Sequence, residues 1–361
     1  TAVGSYAGKN FIRGSNTAIG YGAAMNVGYG TSNTAVGVNA MLGASAAAGS
    51  IDSCGYAQTA TTITCTSNAT INTNQRVTGT DIAEGTYVTA ITGGYGSVTE
   101  FDISQATTNA SGGTLANQTL DFYQTNADDC VAIGANALLN VTTGGNNTVV
   151  GSDAGEDLTS GYSNVLIGTN AGASFTNNIQ NIAIGHLALD GCNGGEHYNI
   201  AIGYGALSAD IAGSTYCVAI GHQALVAQNA DVKNTAIGGL AGDAITTSSG
   251  NTFVGYYAGS ATDTSGNGQY NTSLGHAAFA LGKGGSNVAI GNAALYAAGT
   301  KSDNVAIGAS AGWALTDGPG NVLVGKEAGK AMTTGDYNVA IGFQAAVAMV
   351  GNSNTNIAIG K

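Results

Sequence analysis

A short alternation of apolar residues recurs along this chain of 361 residues. Each copy has a β-branched residue, a central residue, an aliphatic residue and a glycine, and the central residue is alanine in twelve of the seventeen copies. Apart from one interval of 97 residues, the closing glycines are 16 to 20 residues apart, most often 17. These motif glycines are Gly4, Gly20, Gly37, Gly134, Gly151, Gly168, Gly185, Gly203, Gly221, Gly238, Gly255, Gly275, Gly291, Gly308, Gly325, Gly342 and Gly360. A fixed short period is typical of a solenoid, in which one coil stacks on the next.

The alternation within each motif predicts a short β-strand. Residues two apart lie on one face of a strand, and a helix does not keep this spacing. A coil of about 17 residues then holds two short strands and two turns, with the branched residues filling its interior. The sequence therefore predicts an all-β fold, a parallel β-roll or β-solenoid.

Asparagine precedes the strand in fourteen of the sixteen motifs that include this position, and Cys130 and Cys217 are the exceptions. Stacked asparagines can hydrogen-bond along the coils and adopt turn geometry, so we expect a corner ladder there. Its predicted members are Asn147, Asn164, Asn181, Asn199, Asn234, Asn251, Asn287, Asn304, Asn321 and Asn338. The motif glycine suits the next corner because it has no Cβ to clash in a tight or left-handed turn.

Alanine stands three residues after the motif glycine at every available position. Because a coil this thin buries little apolar area, contacts between chains through small alanine faces would supply the missing burial. We therefore expect a closed homo-oligomer. The candidate packing residues are Ala137, Ala154, Ala171, Ala188, Ala206, Ala224, Ala241, Ala294, Ala311 and Ala328.

The interval of 97 residues between Gly37 and Gly134 indicates an insertion of about 80 residues. It contains alternating runs separated by turns, which predict a small antiparallel β domain. We expect solenoid coils at 1–49, an inserted β-sandwich-like module at 50–127 and solenoid coils at 128–361. The module is interpreted either as a receptor-binding domain or as a spacer.

Composition excludes several partners. Charged residues are 8% of the chain and the formal net charge is −12, so no basic surface for nucleic acid is present. No apolar run approaches the roughly 20 residues of a membrane helix, so we expect no membrane insertion of this segment. Cys130 and Cys217 lie too many coils apart to pair within one chain. Pairing of Cys54 with Cys65 or Cys130, and of Cys192 with Cys217, stays open.

The residue after each motif glycine varies, and three of the four histidines fall there. Their coils are too far apart to share a metal within one chain, so we expect no metal site. The same column could present aromatic and imidazole faces to a sugar. With two tyrosines of the insertion, the receptor-binding candidates are Tyr21, His186, Tyr204, His222, Tyr256, Tyr257, His276, Phe343, Tyr87 and Tyr95.

Catalysis is not predicted. The glycine-rich pieces lack the context of a phosphate-binding loop, and no Ser-His-Asp set or pair of carboxylates stands out. We therefore expect neither an enzyme nor a cofactor.

The repeats resemble those of trimeric fibre proteins. The runs N-I-A-I-G-Y-G-A-L at 199–207 and N-V-A-I-G-F-Q-A at 338–345 look like the N-x-A-I-G-x-x-A repeats of bacteriophage tail fibres, including those associated with an endosialidase-type chaperone, and of trimeric autotransporter adhesin heads. The resemblance covers about 280 residues, everything except the insertion. It implies a left-handed β-roll and a homotrimer.

A phage tail fibre is the expected function because autotransporter heads typically have shorter coils and fewer cysteines. The fibre would lie in the virion and attach to a host surface glycan or protein receptor. The alternative is a bacterial trimeric surface adhesin or a self-assembling extracellular filament, at the cell surface or outside the cell.

Overall fold

A computed structural model describes residues 1–9, 15–27, 30–43, 47–57, 60–65, 76–78, 82, 88–91, 100–103, 107, 114–123, 127–191, 195–209, 213–229, 232–260, 268–300, 302–351 and 353–361. Among these residues every regular element is a strand, and no helix is present. The chain forms two compact units, Thr1–Asn147 and Thr148–Lys361.

The strands of the first unit are β1 (Ala2–Val3), β2 (Thr17–Ile19), β3 (Thr34–Val36), β4 (Ala47–Ala57), β5 (Thr62–Cys65), β6 (Arg76–Thr78), β7 (Val88–Ile91), β8 (Glu100–Ile103), β9 (Thr114–Tyr123) and β10 (Val131–Ile133). Those of the second unit are β11 (Thr148–Val150), β12 (Val165–Ile167), β13 (Ile182–Ile184), β14 (Ile200–Ile202), β15 (Val218–Ile220), β16 (Thr235–Ile237), β17 (Thr252–Val254), β18 (Thr272–Leu274), β19 (Val288–Ile290), β20 (Val305–Ile307), β21 (Val322–Val324), β22 (Val339–Ile341) and β23 (Ile357–Ile359).

Solenoid coils of the first unit stack across the long interval. β1 pairs with β2, β2 with β3, and β3 with β10, all in parallel. Thr34 is the register partner of Val131, and the backbone N–H of Cys130 donates to Oδ1 of Asn33 at 2.9 Å. The chain therefore leaves the stack after β3 and rejoins it one coil later.

Six strands between β3 and β10 pair in antiparallel fashion in the order β6-β9-β4-β5-β8-β7. They belong to a single sheet, whereas a sandwich needs two, so the described strands do not show the predicted sandwich-like arrangement. The register places the Cα of Cys54 opposite that of Cys65. β4 begins at Ala47, three residues before the predicted module.

In the second unit each strand from β11 to β22 pairs in parallel with the next, and central residues stay in register. The predicted all-β parallel solenoid with coils of about 17 residues is confirmed. Each described coil has one named strand rather than the two predicted. The return side consists mainly of turns, with isolated parallel bridges joining Ile179, His197 and Thr215.

The faces of the solenoid strands are the reverse of the prediction. The central residue is buried in every solenoid strand from β2 to β22, whereas the first and third residues are half-buried or exposed. In β14, for example, Ala201 is buried between a partly exposed Ile200 and Ile202. The branched residues at the first and third positions therefore form an outer strand face.

The ten alanines assigned to contacts between chains are also inside the coil. Their side chains are fully buried within one chain, so they cannot form the predicted oligomer contact. That assignment was wrong for Ala137, Ala154, Ala171, Ala188, Ala206, Ala224, Ala241, Ala294, Ala311 and Ala328. The methyl group is required because the alanine shares the interior with the central strand residue and with larger side chains from the return side.

Two positions contribute side chains to the interior of a coil: the central residue of the strand and the residue four places after the motif glycine. In five coils with alanine at the centre, the second position holds a buried leucine, as in the pair Ala289 and Leu295. Where the centre is Leu323, the second position is glycine, and a Cβ added at Gly329 or Gly312 would lie 2.9 or 2.8 Å from its methyl groups. Leu166 and Phe253 are flanked by glycines in the same way.

The asparagine ladder is present as predicted. The backbone N–H and Nδ2 of Asn338 both donate to Oδ1 of Asn321, at 2.9 and 3.0 Å. Nδ2 of Asn338 also donates to the carbonyl oxygen of Ser353 in the following coil, at 2.7 Å. The same double donation to the preceding asparagine occurs at Asn181, Asn251, Asn271, Asn287, Asn304, Asn321 and Asn356. Because each Oδ1 receives two N–H groups in a buried position, the ladder fixes the coil register.

Cysteine interrupts this ladder at two coils. The buried thiol of Cys217 donates to the carbonyl oxygen of Val232 at 2.7 Å and accepts from Nε2 of Gln228. The backbone N–H of Asn234 then donates to Val232 instead of the preceding ladder residue. Cys192 lies outside the described residues.

Burial of Cys130 gives a pH dependence that can be measured. Desolvation raises the pKa of its thiol from 9.0 to about 11. The folded state therefore holds a proton that the unfolded state loses, so stability is intact below pH 9 and decreases between pH 9 and 11, by about 2 kcal/mol at pH 10.5. Urea unfolding at pH 8 and 10.5 should show this decrease in the wild type beyond that of Cys130→Ser. Equal decreases in both proteins would contradict the assignment.

Candidate ligand-binding surface

The residues that follow the motif glycines form an exposed line in the second unit, which we call the aromatic column. His186, Tyr204 and His222 occupy it in three successive coils, and Tyr256 and His276 in two others. Each side chain is exposed because it leaves the coil at the turn that the glycine makes. Tyr204 and Tyr256 are each about half exposed.

Rings of the aromatic column stack along the coils. The centroids of His186 and Tyr204 are 5.5 Å apart with an interplanar angle of 16°, and those of Tyr204 and His222 are 5.3 Å apart at 12°. Tyr256 stacks on His276 at 5.6 Å and 27°. These separations lie within the range of favourable aromatic pairs.

Stacking changes the role expected for these rings. The sequence predicts that these rings offer their faces to a sugar, but both faces of Tyr204 lie against imidazoles. A ligand can therefore reach the inner rings only at their edges. A free ring face requires an end or an interruption of the stack.

The other candidates lie apart from these stacks. Tyr21, in the first unit, packs edge-on against Tyr6 at 5.7 Å. Phe343 is exposed, and Nζ of Lys326 lies 5.9 Å from its ring centre. Tyr257 meets the ring of its neighbour Tyr256 edge-on at 4.6 Å. Tyr87 and Tyr95 lie outside the described residues.

Further rings stack at the surface that are not among the predicted candidates. Tyr198 and Tyr216 stack at 4.9 Å and 7°, and Tyr296 stacks on Trp313 at 5.8 Å and 9°. Tyr198 and Tyr216, like Tyr270 and Tyr337, directly precede the ladder position. Alignment of the coils on that position rather than on the glycine would have found this second line of tyrosines.

Ionisable groups near the rings are shifted by burial. Desolvation raises the pKa of Asp243 and of Asp190, and the nearby His186 partly offsets the shift at Asp190. Hydrogen bonds from Gln344 and Lys330 lower the pKa of Glu327. Burial and the neighbouring Asp153 raise that of Glu156.

Within the described part of the chain, no group of three or more His, Cys, Asp or Glu residues is arranged to hold a metal ion. The same part contains no helix long and apolar enough to cross a membrane. Comparison with protein-family models, curated proteins and solved structures found no match.

Proposed function

We propose that this chain is a structural and receptor-binding segment of a phage tail fibre, which assembles as a homotrimer and attaches to a host cell surface without catalysing a reaction. The observation that carries the proposal is the outer strand face. It is an apolar surface, repeated coil after coil, that a single chain leaves uncovered.

The outer strand face is made of branched residues in two columns. Third-position residues such as Ile237, Ile307 and Ile341 are 38 to 39% exposed, and the first-position residues beside them are half-buried. Soluble monomers rarely expose continuous apolar patches of more than a few hundred Å². Parallel sheets are usually covered on both faces.

A second copy of the same chain is the partner that fits this face. Both surfaces would then repeat at the same coil spacing, so branched side chains could interdigitate along their length. Closed symmetry suits such a self-complementary surface. A three-fold arrangement rests on the resemblance to trimeric fibres.

Host attachment is assigned to surfaces that remain outside the trimer. We place it on the exposed rings of the second unit and on the strands β4–β9, which we propose form a separate inserted domain. Because β3 pairs directly with β10, the coils stay continuous on either side of the insertion, which leaves such a domain free to project from them.

Receptor binding can be tested on whole cells. Fluorescently labelled chain should bind saturably to at least one bacterial strain in a panel of surface types, as measured by flow cytometry, and unlabelled chain should compete. Absence of saturable binding to every strain would contradict the receptor-binding role. Release of new reducing ends from a bound surface polysaccharide would contradict the non-enzymatic assignment.

A further inference from the structure

Two cysteines between β3 and β10 are register partners. β4 and β5 pair in antiparallel fashion, and the Cα of Cys54 lies opposite that of Cys65. Directly opposite residues of such a pair lie on the same face of the sheet, with Cα atoms about 4.5 or 5.5 Å apart. A disulfide joins residues whose Cα atoms are about 4.4 to 6.8 Å apart. The register therefore places the two cysteines at the Cα separation of a disulfide.

The neighbouring strand supports this register. β5 lies between β4 and β8, and its pairing with β8 places Ile63 opposite Phe101. Both of these residues are fully buried. A slip of β5 by one residue would move Ile63 to the other face of the sheet, so burial opposes it. The opposition of Cys54 and Cys65 is thus held by the buried face of the sheet as well as by backbone pairing.

Two of the other cysteines are occupied elsewhere. The buried thiol of Cys130 lies 3.4 Å from two backbone carbonyl oxygens, and that of Cys217 donates to a carbonyl oxygen at 2.7 Å. Both are free and buried in the solenoid. A buried thiol that keeps its proton exchanges poorly, because the thiolate is the reacting form. Of the two partners that the sequence leaves open for Cys54, the structure therefore favours Cys65.

The sheet that carries these cysteines is built largely from short strands. β5, β6, β7 and β8 are each three or four residues long. Small β units bury little apolar area for each residue that they order, and small domains commonly add disulfides for this reason. A link between Cys54 and Cys65 would close a loop of the ten residues between them and restrict the unfolded chain.

We propose that Cys54 and Cys65 form a disulfide that joins β4 to β5 and stabilises the six-stranded sheet. This inference does not depend on the proposed receptor-binding function. The oxidant is a small-molecule disulfide such as oxidised glutathione. One protein thiolate attacks it, forms a mixed disulfide and releases a small thiol, and the second protein thiolate then displaces the other small thiol. Two protein thiols are oxidised, one small disulfide is reduced, and both protons pass to the released thiols.

Peptide mass spectrometry of the full chain tests the pairing. The chain is incubated with excess oxidised glutathione, its thiols are blocked with N-ethylmaleimide in mildly acidic denaturant, and it is digested with chymotrypsin, which cleaves after Tyr56 between the two cysteines. We expect the peptides of Cys54 and Cys65 to be joined by a bond that dithiothreitol breaks. Separate peptides, whether blocked or carrying glutathione, or a link to another cysteine would overturn the proposal.

A shift of one cysteine by one residue is the matched control. Thr64 is the register partner of Gly55, so it lies on the opposite face of β5 from Cys65. The chain with Cys65→Ser and Thr64→Cys has the same number of cysteines, but it should give at most about a tenth of the linked peptide that the wild type gives. An equal yield would show that register does not direct the pairing, and would refute the proposal.

Proteolysis of the folded chain tests the stabilising role. Dithiothreitol should raise the rate of chymotryptic cleavage after Tyr56 at least about tenfold in the wild type, because reduction frees the closed loop. It should leave the rate unchanged in Cys65→Ser. Cys217→Ser should respond like the wild type, since Cys217 belongs to the other unit. No rise in the wild type, or an equal rise in Cys65→Ser, would contradict stabilisation by this disulfide.

Discussion

Replacing a motif glycine by alanine should cost more stability than any other change of a single methyl group in this chain. Gly185 has φ +134°, and a Cβ there would lie 2.5 Å from the carbonyl oxygen of Gly203 in the next coil. Gly185→Ala combines backbone strain with a backbone overlap that no side chain can relieve, so we expect a loss of about 3 kcal/mol or more. Urea unfolding of the full chain measures it.

Gly239→Ala provides the control for Gly185→Ala. Its φ is ordinary and the added methyl group meets only an exposed ring, so its stability should stay within about 0.5 kcal/mol of wild type. Similar losses of unfolding free energy in both variants would show that neither the turn conformation nor the backbone of the next coil requires glycine at the motif position.

The second large effect is expected from changes in side-chain volume at Leu323 and Gly329, which share the interior of one coil. Leu323→Ala should open a cavity and cost about 2 to 5 kcal/mol. Gly329→Leu should overpack the same space, since a Cβ there already lies 2.9 Å from Leu323, and cost about 1 to 3 kcal/mol. The double variant reproduces the natural pair Ala289 and Leu295, so it should recover at least about half of the summed loss.

Ala346→Leu controls for the added leucine side chain in this experiment. Ala346 occupies the position equivalent to Gly329, with a similar left-handed φ, but its strand centre is the small Ala340. This variant should unfold at the same urea concentration as the wild type. If the stability losses of the two single variants simply add in the double variant, Leu323 and Gly329 do not share one interior space.

The repeat, the strands and the ladder could be predicted from the sequence because each depends on local rules. Glycine spacing gives the coil period, alternation gives the strand, and asparagine at a corner has few alternatives to a stacked hydrogen-bond row. β3 even pairs with β10 as consecutive motifs, although an interval of 97 residues separates their glycines. None of these features depends on which face of the strand is inside.

The choice of face could not be predicted from alternation alone. Alternation places Ile200 and Ile202 opposite Ala201 but does not say which side is enclosed, and the larger residues were assigned to the interior. The deciding residues are on the return side. In the coil of Ala201, Leu207 is buried with the central alanine and supplies the large side chain of the interior.

The candidate binding residues were predicted only as a line of exposed side chains. Sequence separation placed His186, Tyr204 and His222 in one column, but ring stacking depends on side-chain angles that the sequence does not specify.

The central claim is that the outer strand face joins three copies of the chain, and the mass of the assembled chain tests it most directly. Sedimentation equilibrium should give three times the chain mass of 35.3 kDa for the wild type. The chain carrying Ile237→Asp and Ile307→Asp should sediment as a monomer, because a charge at each site would be buried unpaired in the trimer. Tyr216→Asp, on the exposed tyrosine line, should remain a trimer. A wild-type mass of 35.3 kDa at every concentration would contradict the account.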